Sequence, residues 1–270
     1  MFKVTLVMML LLFLAGCTTN TGDETDDVTV DLPVSVYFAI EDTFDADGWL
    51  HYIKIAIYED GVVADVVLNG VNRLANSTRA DVAQLAGFED IFAYNFYEQV
   101  TLLEESIIGV DKNDVMNVIS SFDGLEKEFD ATVFAQLIAV ALSAGDEAPG
   151  PYIDGPHQAF QVVDADGWAY FVNVFILNGH VVAVHYNAIY EDGTLKYNIF
   201  DPDTSVIDDD WRRQAQLLED EFIRLQDPML FSFCENGFTT DLPGVEIEIE
   251  SFVNLVTTAL AEGPIIQLNE

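Results

Sequence analysis

The sequence predicts an α+β protein made of two tandem repeats, each an antiparallel β meander packed with two or more amphipathic helices. The first observation is internal similarity: three segments recur in the same order at a nearly constant offset. Such a recurrence indicates one unit copied twice. The second and third are strand-like alternation and helical spacing of apolar residues inside each copy. The matching pairs are DADGWLHYIKIAIYEDGVVA (45–64) with DADGWAYFVNVFILNGHVVA (164–183), EQVTLLEE (98–105) with RQAQLLED (213–220), and LEKEFDATVFAQLIAVALSAG (125–145) with PGVEIEIESFVNLVTTALAEG (243–263).

The strands follow an Asp-Ala-Asp-Gly segment in each copy, which is typical of a turn. Alternating β-branched and aromatic residues come next, a pattern that favours antiparallel strands. Asp60-Gly61 and Asn178-Gly179 are dipeptides preferred in two-residue hairpin turns. A further turn is expected at Glu191-Asp192-Gly193 in the second copy.

Four segments place apolar residues at the spacing of amphipathic helices. Gly145 and Gly263 are expected to end two of them, since glycine readily adopts the conformation that follows a helix. The segment 146–156 is rich in Pro and Gly and is interpreted as a linker between domains 34–145 and 157–270. The apolar sets are Phe96, Val100, Leu103 and Ile107; Phe134, Leu137, Ile138 and Ala141; Trp211, Ala215, Leu218 and Phe222; Phe252, Leu255, Val256 and Ala259.

The N-terminus has the pattern of a secretory signal, residues 1–16. Lys3 precedes an apolar run of about a dozen residues, shorter than the roughly 20 needed to cross a bilayer as a helix. The run ends in Leu-Ala-Gly followed by Cys17, which resembles the lipobox of bacterial lipoproteins. That resemblance implies cleavage before Cys17, attachment of membrane lipid to it, and an extracytoplasmic protein anchored to the bacterial cell membrane. Residues 17–33 are polar and acidic and are interpreted as a tether.

The charge of the chain excludes nucleic acid as a partner. Among 270 residues, 10 are Lys or Arg and 47 are Asp or Glu, giving a net charge of −37. A nucleic-acid phosphate backbone requires a basic face that so few cations cannot form. Half of the residues are hydrophobic, which is enough for real cores. Cys234 has no second cysteine left to pair with and is expected to be a small buried residue.

Motifs for catalysis and metal binding are not found. The two Asp-x-Asp-Gly segments resemble part of a calcium loop, but its twelfth position would be Lys54 or Asn173 instead of Glu. Asp210 or a neighbour is expected to cap the helix that contains Trp211. The four histidines lack metal-ligand spacing, and no G-x-S-x-G, phosphate-binding or dinucleotide-binding motif occurs. No catalytic or metal-binding residue is predicted.

The chain resembles the FMN-binding domain of bacterial surface flavoproteins. The resemblance rests on a meander that begins at Gly-Trp, a Q-x-x-L-L-E helix, and an F-x-x-L-x-x-x-AL helix after a Gly-containing turn. Residues 152–201, with their EDGTLK turn, match best, and the likeness extends over nearly all of 34–263 in two copies. It implies electron transfer by flavin outside the cytoplasmic membrane, with a redox partner.

The motif that attaches flavin in that family is altered in both copies. The resemblance implies a Gly-Ala-Thr motif whose Thr is joined to the FMN phosphate about six residues before a Phe. Here Glu128 and Glu246 stand six residues before the two Phe residues, preceded by Gly124 and Gly244. Thr132 also follows an Asp-Ala pair, but it lies only two residues before the Phe. Because a carboxylate cannot form the phosphoester and would repel a phosphate, covalent flavin is not expected.

FMN held without a covalent bond would need aromatic walls and cations for its phosphate. The leading hypothesis is therefore an anchored protein with two FMN-binding-type domains, related to flavin-based electron transfer; the alternative is a flavinless surface module that binds a partner or small ligand. Candidate aromatic residues are Trp49, Tyr94, Phe96, Tyr97, Trp168 and Trp211, and candidate cations are Lys196, Arg212 and Arg213 in the second copy and Arg73 and Arg79 in the first.

Overall fold

The computed structural model describes residues 34–86, 91–125, 129, 131–196, 209–239 and 241–265. The predicted signal, Cys17 and the tether lie outside the described residues. The described residues belong to one compact unit with the predicted α+β architecture. Its first half contains β1 (Val34–Ile40), β2 (Trp49–Tyr58), β3 (Val63–Asn72), α1 (Arg79–Ala86), α2 (Ile91–Ile107), α3 (Val115–Ser121) and α4 (Thr132–Ala144). Its second half contains β4 (Gly155–Phe160), β5 (Trp168–Leu177), β6 (His180–Tyr190), α5 (Asp209–Leu225), a 3₁₀ turn (Pro228–Leu230) and α6 (Glu250–Glu262).

The two halves have the same sheet topology. Strands β1, β2 and β3 form one antiparallel meander, and β4, β5 and β6 form another. The register shifts between Ala56 and Ile57 in β2 and between Phe175 and Ile176 in β5, which are matching positions of the repeat. Since even this irregularity recurs, the halves fold alike.

The turns form where the sequence predicts them, but Asp60-Gly61 is not a two-residue turn of the favoured type, because only Gly61 has a positive φ and the Tyr58 N–H bonds the Val62 carbonyl. Asn178 and Gly179 have φ angles of 50° and 74°, the positive pair that a type I′ hairpin requires. In the turn before β2, an Asp45 carboxylate oxygen accepts hydrogen bonds from the backbone N–H groups of Asp47 (2.9 Å) and Trp49 (2.8 Å). Asp164 accepts two such bonds in the second half. The Asp-x-Asp-Gly segments therefore act as turns before strands.

The predicted apolar helix faces are buried. All four sets lie in two apolar cores, one in each half, between the sheet and the helices of that half. Gly145 and Gly263 follow α4 and α6 with φ angles of 95° and 83°, as expected for glycines that end helices.

The sheets pack against each other through the faces that do not meet the helices. A third apolar cluster contains Leu50 and Tyr52 of β2 together with Phe175 and Leu177 of β5 and Ala183 of β6. The described part of the chain is thus layered as helices, sheet, sheet and helices. Strands buried on both faces explain why β2 and β5 are so rich in apolar residues.

The segment 146–156 is held against both halves. The Asp146 carboxylate accepts a hydrogen bond from the Val36 N–H at 2.8 Å. The Gly150 N–H donates to the Asn178 carbonyl, also at 2.8 Å. Gly150 lies so near the β5–β6 turn that a Cβ there would be 2.2 Å from the Gly179 oxygen. This segment is therefore docked along its length.

One local prediction is wrong, and another is answered only in part. Cys234 is exposed, because it lies in an irregular turn where its N–H and carbonyl bond the backbones of Phe238 and Gly237. Asp210 itself does not cap α5, because the helix begins at Asp209 and Asp210 lies inside its first turn; the residue that precedes the helix lies outside the described residues. The Asp210 carboxylate binds the side chains of Arg213 and Gln214.

Candidate functional site

In the second half, Lys196 lies among three aromatic rings. Its ammonium is 5.3 Å from the ring centroid of Trp168, 4.9 Å from that of Tyr170 and 5.1 Å from that of Trp211. The same ammonium donates a hydrogen bond of 2.7 Å to the Tyr170 hydroxyl. A cation over several aromatic faces is stabilised by their quadrupoles. We call this group, Lys196 with Trp168, Tyr170 and Trp211, the lysine cage.

The first half contains an arginine in the equivalent surroundings. The Arg79 guanidinium carbon is 5.7 Å from the ring centroid of Trp49 and 4.1 Å from that of Phe96. One of its nitrogens lies 2.9 Å from Nε2 of His51. Burial lowers the pKa of Arg79, against the opposing effect of Asp45 and Asp47. We call Arg79 with Trp49, His51 and Phe96 the arginine cage.

The two cages use corresponding positions of the repeat. Trp49 and Trp168 are the first residues of β2 and β5, and the second member follows two residues later on the same strand. The third member, Phe96 or Trp211, stands three residues before the glutamine shared by the two copies. In each half, therefore, the first residue of the strand, the residue two positions later and one helix residue surround a cation at the same point of the fold.

His51 joins the arginine cage to a carboxylate. Its Nδ1 lies 2.8 Å from a Glu41 carboxylate oxygen, and its Nε2 faces Arg79. Because a guanidinium can only donate, Nε2 accepts and the ring proton belongs on Nδ1, where it is donated to Glu41. The imidazole ring of His51 is thus held in one orientation.

Gly244 and Glu246 lie beside the N-terminal part of α5, the helix that provides Trp211 to the lysine cage. Arg213 donates a hydrogen bond of 3.1 Å to the Gly244 carbonyl. The buried Gln214 side chain accepts from the N–H of Glu246. The Glu246 residue itself is exposed. Gln214 therefore fixes the backbone of the loop that contains Gly244 and Glu246.

The glutamate shared by the copies is also structural. Glu104 on α2 accepts a hydrogen bond of 2.7 Å from the Leu68 N–H on β3, and Glu219 on α5 accepts one of 2.6 Å from the Tyr186 N–H on β6. Burial raises the pKa of Glu104 to about 7, although the bond from Leu68 acts in the opposite direction. Burial also raises the pKa of Glu219 well above its ordinary value. Each carboxyl fastens a helix to the third strand of its sheet.

The structure brings most of the predicted cofactor residues together in the second half. Trp168 and Lys196 are in direct contact. Gly244 and Glu246 are hydrogen-bonded to side chains of α5, the helix that carries Trp211. In the first half Gly124 lies between α3 and α4, exposed and with Phe122 as its close neighbour. Glu128 and the side chain of Tyr94 lie outside the described residues. Tyr97 is exposed and belongs to neither cage.

Sequence reasoning missed His51 and Tyr170, the members that bond the two cations. Both stand two residues after the Trp that begins a strand, so strand alternation places them on the same face as that Trp. That spacing is the signal that could have identified them.

No metal centre or membrane-spanning helix is found in the described ranges. They contain no group of three or more His, Cys, Asp and Glu side chains arranged to hold a metal ion. None of the helices described is both long enough and apolar enough to cross a bilayer.

Comparisons with known proteins identify no family for this chain. No protein-family model matches it, and neither does any curated protein. Among solved structures, a Clostridium thermocellum protein determined by NMR is 27% identical, covering 40% of this chain and 90% of its own, with a TM-score of 0.34. A Clostridium perfringens protein determined by crystallography is 18% identical, covering 42% of this chain and 89% of its own, with a TM-score of 0.31.

Proposed function

We propose that this chain is an extracytoplasmic binding protein, anchored to the bacterial cell membrane by lipid on Cys17, whose two FMN-binding-type halves carry no flavin. Its activity would be to bind a partner or small ligand at the cell surface. The observation that carries the proposal is the pair of cages. In each half a cation of the chain itself lies over the tryptophan that would face a flavin ring.

A flavin ring would have to displace these cations before it could stack on the tryptophans. A cation over an aromatic ring contributes about 0.5–2 kcal/mol. Lys196 would in addition lose its 2.7 Å hydrogen bond to Tyr170, and Arg79 its 2.9 Å contact with His51. These losses oppose flavin binding in both halves.

The phosphate of FMN would find little support near the second cage. Arg213 already bonds the Gly244 carbonyl and the Asp210 carboxylate, at 3.1 Å and 2.6 Å. The exposed Glu246 adds a negative charge in the same loop. Like charges at short range repel, so the loop disfavours a phosphate group.

The flavin part of the proposal is tested on the purified full chain. We expect a colourless protein with no visible flavin absorption, and we expect added FMN to keep its fluorescence. A yellow preparation would contradict the proposal, as would fluorescence quenching that Trp168→Ala abolishes. Trp211→Ala is a second variant, because it removes the ring that α5 contributes to the lysine cage.

The anchor is tested by exchanging each cysteine in turn. Cys17→Ser should move the protein from the membrane fraction to the soluble fraction. Cys234→Ser is the matched control and should leave it with the membrane. If the Cys17→Ser protein stays firmly attached, the lipid anchor is wrong.

A further inference from the structure

A cavity of about 380 Å³ opens where the first half meets α5 of the second. Its walls include Asp47 and Trp49 at the start of β2, Asn72 and Arg73 at the end of β3, and Arg212 on α5. This volume is within the usual range of small-molecule sites, about 300–1,000 Å³. A tryptophan and two arginines therefore line a space large enough for an organic ligand.

The cavity reverses the charge balance of the chain. The whole sequence has 10 Lys and Arg against 47 Asp and Glu, yet two arginines and one acidic residue, Asp47, line this space. Arg73 lies over the Phe44 ring at 5.0 Å and forms no ion pair within the described ranges. A guanidinium without a carboxylate partner is well suited to bind a carboxylate or phosphate with two parallel hydrogen bonds.

The repeat provides an internal comparison, because the second half fills the same space. Trp49 pairs with Asn72 in the sheet, and Trp168 pairs with Tyr190 at the matching position. The Tyr190 ring packs on Trp168 with 5.1 Å between ring centroids. A Cβ on the adjacent Gly167 would lie only 2.6 Å from the Tyr190 ring. The smaller Asn72 leaves this volume open in the first half.

The two halves also differ in the charge of the residue that follows Asn72 or Tyr190. Arg73 follows Asn72, whereas Glu191 follows Tyr190. The open space and Arg73 therefore occur together in the first half, whereas the second half has the Tyr190 ring and Glu191 at the matching positions. Two copies of one unit that differ in this way indicate a site with its own role.

The walls of the cavity are held in place by hydrogen bonds. The Asn72 amide donates to the Ser77 hydroxyl at 2.7 Å, and the Arg73 N–H donates to the Gly48 carbonyl at 2.9 Å. Asn173 of the other sheet donates to the Leu74 carbonyl at 2.9 Å. A site that is already ordered loses less entropy when a ligand binds.

We propose that this cavity binds a small organic oxyanion, a carboxylate or phosphate attached to a flat apolar group. The oxyanion is held by Arg73 and Arg212. The flat group packs on the part of Trp49 that lines the cavity, which Arg79 does not line, so Arg79 keeps its place over the indole. This inference rests on the proposed function as a binding protein and names the class of its ligand.

The test is an NMR titration of the purified full chain, with phenyl phosphate as the probe. The indole N–H signals of Trp49, Trp168 and Trp211 are assigned with the three Trp→Phe variants. We expect phenyl phosphate to shift the Trp49 signal and to leave the Trp168 signal in place. Benzyl alcohol, which lacks the oxyanion, should shift neither at the same concentration. If phenyl phosphate at millimolar concentration does not shift the Trp49 signal, the proposal is overturned.

Three variants and one control locate the interaction. Arg73→Gln and Arg212→Gln should each weaken phenyl phosphate binding by about tenfold or more, because each removes a charge-assisted hydrogen bond. Arg224→Gln is the matched control, an exposed arginine further along α5 that pairs with Glu221, and it should change the affinity less than twofold. Asn72→Tyr should close the cavity as in the second half and abolish the shift. Equal affinity in the Arg73→Gln and control proteins would overturn the proposal.

The two proposals can fail separately. A yellow protein would refute the absence of flavin and leave the Trp49 titration to decide this inference. A colourless protein whose Trp49 signal ignores phenyl phosphate would refute this ligand class alone.

Discussion

Replacing Glu104 by Gln should make the stability of the protein less dependent on pH. Glu104 accepts the Leu68 N–H at 2.7 Å, and a glutamine oxygen can accept the same bond. What the substitution removes is the ionisation of a partly buried carboxyl. The shape of the contact between α2 and β3 is kept.

The sign follows from the raised pKa of Glu104, which moves from 4.5 to about 7 on folding. Between these values the folded protein binds more protons than the unfolded chain, so the free energy of unfolding falls as pH rises. A shift of this size corresponds to at most about 3 kcal/mol. Because the side chain is only partly buried, solvent screening reduces the effect, and we expect about 1.5 kcal/mol.

The assay is urea unfolding of wild type and variant between pH 5 and pH 8. The two proteins should be nearly equally stable at pH 5, and Glu104→Gln should be more stable by about 1.5 kcal/mol at pH 8. Glu105→Gln is the control, since it removes one negative charge from the exposed neighbour on the same helix. If Glu104→Gln follows the same pH profile as Glu105→Gln, the buried carboxyl is not the cause and the reasoning is refuted.

Three further predictions concern the lysine cage, the docked segment and the free cysteine. Lys196→Met should lower the free energy of unfolding by about 1–2 kcal/mol in urea, because the cation is lost from three rings, whereas Lys54→Met at an exposed ion pair should change it by about 0.5 kcal/mol or less. Gly150→Ala should lower the free energy of unfolding in urea by at least about 2 kcal/mol, because its Cβ would meet the Gly179 oxygen. Gly145→Ala has open space around its Cβ and should lower it by about 1 kcal/mol, because of the positive φ at that position. Equal losses of stability in the two variants would show that the contact with Gly179 is not the cause. Cys234 should react with a thiol reagent in the folded protein at nearly the rate seen in urea, and strong protection would contradict its exposure.

The elements with a strong periodic signal were predictable. The two long hairpins, the buried faces of α2, α4, α5 and α6 and the glycines that end α4 and α6 follow from short-range spacing. The first strand of each sheet and the short helices α1 and α3 were not predicted. They have few residues each, so their pattern is too brief to distinguish from a loop.

The candidate site was predicted only in part. Lys196 and Trp168 were expected at a cofactor site, and the structure joins them, but as partners of each other. The glutamine and glutamate of the repeated helix motif were recognised as similar without a role. Gln214 binds a loop and Glu219 binds a strand, both more than 30 residues away in sequence, and such contacts have no local signature.

By itself the sequence determined that the chain contains two copies of one meander with its helices, because turns and amphipathic spacing depend on near neighbours. Only the tertiary structure decided that the two sheets pack back to back, that each copy places its own cation over its tryptophan, and that Asn72 leaves open the space that Tyr190 fills. The physical reason is that the apolar pattern of a strand shows that both faces are buried but carries no information on what covers each face. That choice depends on side chains from distant parts of the chain, which meet only when the protein folds.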